Sequence, residues 1–282
     1  MIFFILCNTM LELGIVETRN IIKTIAEKYH YDFSDYALTS FKQRLEKIID
    51  QQNIKFIEYF NDKLLEDASF FETILHTLEV PSTEMFRDPS CWRILHDELL
   101  PALMKETMHD LKVWLPNSVS GDELFSFCII LQEMGLIDHV RITVSALSDT
   151  SIETIRSGQL QNNKLEISTD NYKRVFGKDE LTKYYAIRKG ELVRDVSLLK
   201  NVTFFKQNIF LEPVPQGIKL VFFRNKMIYY NQTLQSRILK LFYNHLTTNA
   251  ILIIGTKESL NTFYGTQEFS LINSSESIYK RK

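Results

Sequence analysis

From residue 111 to the end of the chain, short apolar runs alternate with longer stretches whose apolar residues follow helical spacing. The runs predict strands at 111–115, 140–146, 218–223 and 250–255, and the stretches between them predict helices at 122–134, from 151, and at 233–246. Two further runs, 269–272 and 277–279, are predicted to close the sheet as a hairpin. Alternation of strand and helix is typical of an α/β domain built on a parallel sheet.

Residues 11–79 follow a different pattern, in which apolar residues recur at helical spacing and no strand is indicated. No glycine occurs between Gly14 and Gly121, and Pro81 is the first proline. We therefore predict a helical module over residues 1–80, a linker with a connecting helix over 81–110, and the α/β domain over 111–282. Within that domain the stretch 160–203 is polar, and we predict an insertion of small antiparallel strands there.

Composition excludes some classes of function. The 282 residues carry a formal charge of −2, so no overall positive field favours nucleic acid. The three cysteines are far apart and form no Cys-x-x-Cys pair, and the six histidines have no ligand spacing, so we expect reduced thiols, a cytoplasmic protein and no metal site. The apolar start, residues 1–7, is too short to span a bilayer and lacks the basic region of a signal peptide, so we expect no membrane insertion.

Two loops follow the carboxyl ends of predicted strands. Open parallel sheets bind their ligands at these ends. In the first, Gly121 permits a tight turn, and Asp122 and Glu123 offer carboxylates to an ammonium group or to ribose hydroxyls. The same two acids also suit ordinary helix capping. In the second, residues 223–231 combine a charged donor, an amide and a phenol, although a solvated strand end has the same composition.

Four segments resemble those of the chemotaxis receptor methyltransferases (CheR-type, protein-glutamate O-methyltransferases). Residues 80–89, VPSTEMFRDP, are similar to N-x-T-x-F-F-R-D-P, and residues 113–125 to W-S-A-G-C-S-T-G-E-E-P-Y-S. Residues 221–231, VFFRNKMIYYN, are similar to I-F-C-R-N-V-L-I-Y-F-D, and residues 255–260, GTKESL, to G-H-S-E-S-L. The segments occur in the family's order, and the likeness covers nearly the whole chain.

The resemblance implies an S-adenosylmethionine-dependent methyltransferase fold, with a Rossmann-like sheet, a helical N-terminal domain and a small antiparallel β insertion. It implies transfer of a methyl group from S-adenosylmethionine to glutamates of a chemoreceptor-like partner, with S-adenosylhomocysteine as product, by a protein we expect to be monomeric. Arg87 and Tyr229 are the implied catalytic residues, Arg87 beside the reacting carboxylate and Tyr229 beside the methyl group. The residues implied at the cofactor are Thr83, Arg87, Asp122, Glu123, Asn208, Ile209, Arg224 and Asn225.

The chemistry of that reaction suits a site without a nucleophilic triad. A glutamate side chain has a reference pKa of about 4.3, so it is already an anion at neutral pH and needs no general base. The enzyme must mainly align the reacting atoms and exclude water.

The chain departs from the family's pattern at three places. Pro81 stands at the asparagine of N-x-T, Ala146 at the ribose-binding aspartate that ends the second strand, and larger residues replace the small ones of the first loop. Asp149 is a candidate substitute for the missing aspartate. A second hypothesis is therefore a methyltransferase-like binding module that has lost turnover. A small-molecule methyltransferase is a third, and the helical module argues against it.

Overall fold

The structure, a computed structural model, describes residues 11–79, 84–108, 110–160, 164–260 and 268–282. The chain divides into two compact units, residues 1–78 and 79–282. The apolar start of the chain, Pro81 and Thr83 lie outside the described residues. No helix in the described ranges is long and apolar enough to cross a bilayer.

The first unit is a helical bundle of α1 (Ile15–Tyr29), α2 (Leu38–Gln51), α3 (Ile57–Glu66) and α4 (Ala68–Leu78). Its apolar faces meet in a core that contains Ile25, Phe41, Leu45 and Leu64, all with 1% exposure or less. The helical spacing seen in the sequence produces these faces.

The second unit is built on a sheet of seven strands in the order β5-β2-β1-β6-β7-β9-β8. The strands are β1 (Leu111–Leu115), β2 (Val140–Ala146), β5 (Val202–Lys206), β6 (Leu220–Phe223), β7 (Ile251–Ile254), β8 (Phe269–Asn273) and β9 (Ile278–Arg281). β5, β2, β1, β6 and β7 run parallel, whereas β9 pairs antiparallel with both β7 and β8. This confirms the α/β class and the closing hairpin.

Helices cover both faces of the sheet. They are α5 (Pro89–Ile94), continued through a π-turn (Leu95–Leu99) into α6 (Leu100–Glu106), then α7 (Asp122–Glu133), α8 (Asp149–Arg156), α9 (Leu165–Phe176) and α10 (Gln232–His245). Two neighbouring residues of β6 contact the helices on the two faces. The ring centres of Phe222 and Trp92 of α5 are 5.7 Å apart, and those of Phe223 and Phe242 of α10 are 5.2 Å apart. Successive side chains of a strand point to opposite faces, which makes β6 a central strand buried on both sides.

The polar stretch 160–203 is only partly the β insertion that its sequence indicates. A two-stranded antiparallel hairpin is present, formed by β3 (Tyr185–Arg188) and β4 (Glu191–Arg194). The same stretch also contains α9 and the first residues of β5, which the sequence reading missed. α9 buries only Ser168, Asn171 and Tyr172, so its buried positions carry few apolar residues. β5 is an edge strand with exposed and half-buried residues, so it lacks a continuous apolar run.

Candidate active site

A cleft opens at the carboxyl ends of β1 and β6, where the strand order reverses direction. Such a switch point is where ligands bind in open α/β sheets. The cleft encloses about 720 Å³, including solvent at its mouth. Its walls are residues 117–124 after β1, the residues Arg224, Asn225, Lys226, Ile228 and Tyr229 after β6, and Glu84, Arg87 and Trp92.

A glycine turn leads from the β1 loop into α7. Gly121 has φ +74°, and a Cβ at this position would lie 3.1 Å from Cγ2 of Ile155. The turn therefore requires glycine both for its backbone conformation and for its close packing. It places Asp122 and Glu123 in the first turn of α7, where carboxylates also suit the helix dipole.

Asp122 is held by a cation from the hairpin. Arg194, at the end of β4, forms an ion pair with Asp122, and it also donates to the carbonyl oxygen of Ser120 at 2.9 Å. The side chains of Arg194 and Asp122 are only 2% and 10% exposed. Burial raises the pKa of Asp122, while Arg194 acts in the opposite direction. The insertion is thus tied directly to the loop that lines the cleft.

The segment 84–88 crosses one side of the cleft in an unusual backbone conformation. Phe86 and Asp88 have φ +53° and +56°, a region that non-glycine residues rarely adopt. The Phe86 amide donates to Oγ of Ser126, 2.8 Å away, and the fully buried Phe86 ring packs edge-on against Trp92. Strained backbone of this kind is found mainly at functional sites. The conformation carries Arg87 into the cleft lining, with its side chain 31% exposed and its Nε 4.0 Å from Oε1 of Glu84.

Arg224 joins this segment to β6 and α7. Its guanidinium donates to the Arg87 carbonyl at 3.0 Å and to Oδ2 of Asp88 at 2.7 Å, and it lies 3.5 Å from Oε1 of Glu123. The side chain is 2% exposed. Arg224 borders the cleft, and its principal contacts are with the protein itself.

The turn that carries Asn225 and Tyr229 is held by a buried carboxylate. Glu258 accepts hydrogen bonds from the amides of Asn225 at 2.9 Å, Ile228 at 3.2 Å and Gly255 at 2.6 Å. A Cβ on Gly255 would lie 2.5 Å from Oδ1 of Asn225, so only glycine fits beside that amide. Glu258 belongs to the motif segment 255–260, whose sequence alone does not indicate this role.

Lys226 brings a second buried cation to the cleft. Its Nζ donates to the carbonyl oxygen of Pro116 at 2.6 Å, and the residue is 6% exposed. Burial lowers its pKa, although the charges of Glu123 and Glu258 raise it. The resembling motif R-N-V-L-I-Y has valine at this place, so the lysine is a departure that the sequence itself shows.

Two of the implied cofactor residues do not line the cleft. The amide of Asn208 donates to Glu212, and Asn208 Oδ1 accepts from the amide of Phe210 at 3.1 Å, while Ile209 is 3% exposed. Both follow β5, which is separated from β6 by β2 and β1. The cleft does bring together Arg87, Asp122, Glu123, Arg224, Asn225 and Tyr229.

The strand order, the switch-point cleft and the acidic helix start after a glycine turn define an S-adenosylmethionine-dependent methyltransferase. The family model "CheR methyltransferase, SAM binding domain" matches residues 81–278. The chain belongs to the CheR methyltransferase family, and S-adenosylmethionine is its cofactor.

Two similar proteins are named as methyltransferases. The chain is 30% identical over 266 residues to a Pseudomonas putida protein named as a methyltransferase, Cher3, covering 94% of this chain and 97% of that one. It is 22% identical over 231 residues to the chemotaxis protein methyltransferase of Listeria innocua, covering 81% of this chain and 84% of that one. Among solved structures, it is similar to N-methyltransferase NodS of Bradyrhizobium japonicum, with 9% identity, a TM-score of 0.37, and coverage of 67% of this chain and 86% of that one.

The amino-acid end of the cofactor fits the residues of the cleft. That end carries an ammonium, a carboxylate and a sulfonium. The carboxylates of Glu84, Asp122 and Glu123 complement the two cationic groups. Oδ1 of Asn117, in the cleft lining, is buried and has no hydrogen-bond partner among the described residues. It offers a further acceptor. In the same described part of the chain, no group of three or more His, Cys, Asp or Glu residues is placed to hold a metal ion.

Proposed function

We propose that the protein transfers a methyl group to glutamate carboxylates of a chemoreceptor-like signalling protein. The observation that supports this most is the placement of Arg87 and Tyr229 on the walls of the cleft that also contains the acidic start of α7. Arg87 places a cation in the same cleft as the proposed binding place for the cationic methyl donor. This arrangement suits a substrate that is itself an anion. When bound, S-adenosylmethionine supplies an activated methyl group.

The residues of this chain then have separate tasks. Arg87 holds the carboxylate of the substrate, because a guanidinium matches a carboxylate in charge and geometry. Asp122 and Glu123 bind the ammonium group of the cofactor, and Tyr229, which lines the same cleft, lies beside the reacting atoms. Since the substrate glutamate is already ionised at neutral pH, no proton has to be removed before it reacts.

A protein substrate is supported by the first unit and by the relatives. Large apolar side chains are exposed on the helical unit, namely Ile15, Val16, Phe56 and Tyr59. These side chains lie at the starts of α1 and α3, and a docked receptor segment would bury them. The Listeria innocua relative is a chemotaxis protein methyltransferase by name, and a receptor's cytoplasmic signalling region is the corresponding partner for this chain. The proposed location is therefore the cytoplasm.

The alternative is a methyltransferase-like binding module without turnover. Two observations favour it: β2 ends in Ala146, which carries no carboxylate for ribose, and the Lys226 cation is buried in the cleft. The two functions differ in whether methyl groups reach the substrate.

The function is tested by comparing Arg87→Ala with Arg93→Ala, a matched control on the exposed face of α5. We expect Arg87→Ala to abolish methyl transfer to a receptor fragment without changing the melting temperature, and Arg93→Ala to keep full activity. Activity retained in Arg87→Ala would contradict the assigned role. A large fall in melting temperature would instead identify Arg87 as a structural residue.

A further inference from the structure

The strand that should hold the ribose of the cofactor has no carboxylate of its own. In dinucleotide-binding sheets of this kind, an acidic residue at the end of the second strand bonds the ribose hydroxyls. Here β2 ends at Ala146, which is fully buried. The next acid, Asp149, has a side chain that is 70% exposed and lies 3.3 Å from the amine of Lys206. Asp149 is therefore placed at the surface, as the neighbour of a lysine.

A buried carboxylate from a distant part of the chain lies at this strand end. Oε1 of Glu79 accepts a hydrogen bond from the amide of Leu147, the residue after Ala146, at 2.5 Å. Oε2 of Glu79 accepts from the hydroxyl groups of Ser151 at 2.5 Å and Ser148 at 3.2 Å. The residue is only 4% exposed.

The Glu79 carboxylate retains capacity for a ligand. A carboxylate has about four acceptor positions, of which the amide and the two hydroxyls use three. Serine hydroxyls rotate, so Ser148 and Ser151 can turn toward other acceptors. The amide of Ser118, which lines the cleft, donates to the carbonyl of Ser145 at 2.8 Å, so the end of β2 that Glu79 contacts borders the cleft.

A second buried acceptor lies beside the same strand end. The amide of Gln207, just after β5, donates to the carbonyl of Ala146 at 2.8 Å. Its side-chain nitrogen donates to the carbonyl of Pro213 at 2.7 Å, whereas Oε1 is buried without a partner among the described residues. An unpaired buried acceptor costs free energy unless a ligand supplies the missing donor.

We propose that Glu79 and Gln207 together accept the ribose hydroxyls of the cofactor, in place of a carboxylate on β2. The ribose diol supplies two donors. Glu79 is bonded to the amide of Leu147 and the amide of Gln207 to the carbonyl of Ala146, so both residues lie beside the end of β2. The proposal rests on the proposed function only in requiring that the cofactor binds. It does not depend on the methylated substrate.

Calorimetric titration of the full chain with S-adenosylhomocysteine tests the proposal. At pH 8, where Glu79 is ionised, we expect Glu79→Gln to weaken binding about tenfold to hundredfold, as for a lost charged hydrogen bond. Gln207→Leu is expected to weaken it less, and Asp149→Asn, which removes the surface acid of the same turn, to leave it unchanged. In the double variant Glu79→Gln with Ala146→Asp, a carboxylate on β2 is expected to recover most of the affinity.

A ligand that lacks one hydroxyl separates ribose binding from a structural effect. The 2′-deoxy analogue of S-adenosylhomocysteine is expected to bind the wild-type protein more weakly, and to lose little further affinity in Glu79→Gln. If Glu79→Gln lowers the melting temperature but binds S-adenosylhomocysteine as the wild type does, Glu79 only anchors the start of α8 and the proposal is wrong. If the wild type itself fails to bind, both this proposal and the proposed function are wrong.

Discussion

Arg194, the last residue of the β hairpin, and Asp122, the first residue of α7, form an ion pair that is almost completely withdrawn from solvent. The guanidinium also lies 5.1 Å from the centre of the Phe125 ring. The pair connects the insertion to the loop that lines the cleft, so a change in the hairpin acts directly on the residues assigned to the cofactor.

Arg194→Met is expected to destabilise the second unit strongly, because it leaves Asp122 as a buried charge without its partner. Breaking a buried pair in this way costs about 3–5 kcal/mol. The double variant Arg194→Met with Asp122→Asn is expected to be more stable than Arg194→Met alone. Urea unfolding followed by tryptophan fluorescence measures this, since Trp92 and Trp114 both lie in the second unit and report on it alone. Equal stability of the single and double variants would show that the charge of Asp122 is not the cause.

Glu133 is expected to make the second unit sensitive to acid. Burial opposes its ionisation, but hydrogen bonds from Lys178, Lys183, Tyr184 and Tyr172 lower its pKa to about 2. Because the pKa is lower in the folded state, the stabilisation is present above about pH 4.5 and is lost as the pH falls toward 2. Glu133→Gln should therefore flatten the dependence of unfolding free energy on pH over that range. The exposed Glu153, which pairs with Arg156 at 3.0 Å, provides the control variant Glu153→Gln, and an equal effect there would contradict the assignment.

Glu79 is expected to change the stability with pH in the direction opposite to Glu133. Burial raises its pKa from 4.5 to about 7, against the hydrogen bonds from Ser151 and Leu147. The folded state thus holds a proton that the unfolded state releases, so this residue lowers stability as the pH rises from about 4.5 to 7. Relative to the wild type, Glu79→Gln should become more stable at pH 8 than at pH 5, as measured by urea unfolding at both values. If the unfolding free energies of Glu79→Gln and the wild type differ by the same amount at pH 5 and pH 8, Glu79 does not titrate in the native state.

Gly121→Ala is expected to weaken binding of S-adenosylhomocysteine, because the added methyl group meets Ile155 and the backbone is left-handed. Gly135→Ala is the matched control, since Gly135 has φ +67° and nothing within 4 Å of an added Cβ. Both variants place alanine in a left-handed backbone conformation, which costs about 1 kcal/mol. Only Gly121→Ala also displaces the loop. Calorimetry on the two variants separates the effects. Equal affinities would show that the close packing of the turn is not needed for binding.

The sequence predicts the parts of the fold whose residues carry a local pattern. β1 and β2 are apolar runs in a central region of the sheet, and both are predicted correctly, whereas the polar helix α9 and the edge strand β5 are not. The same division holds at the site. Arg87 and Tyr229 belong to short motifs, and both line the cleft, whereas Glu79 contacts a residue 68 positions away and Arg194 one 72 positions away. Such contacts depend on the folded chain, and no local spacing indicates them.

The most direct test of the account is transfer of a labelled methyl group. The full chain is incubated with S-adenosylmethionine labelled on its methyl group and a receptor signalling fragment, and the product is then treated with mild base. Methyl esters of glutamate release methanol under these conditions, so the account predicts label on the fragment that becomes volatile in base and is absent when the target glutamates are alanine. Label that is never transferred, by a protein that binds the cofactor, would contradict the methyltransferase function and favour the binding module.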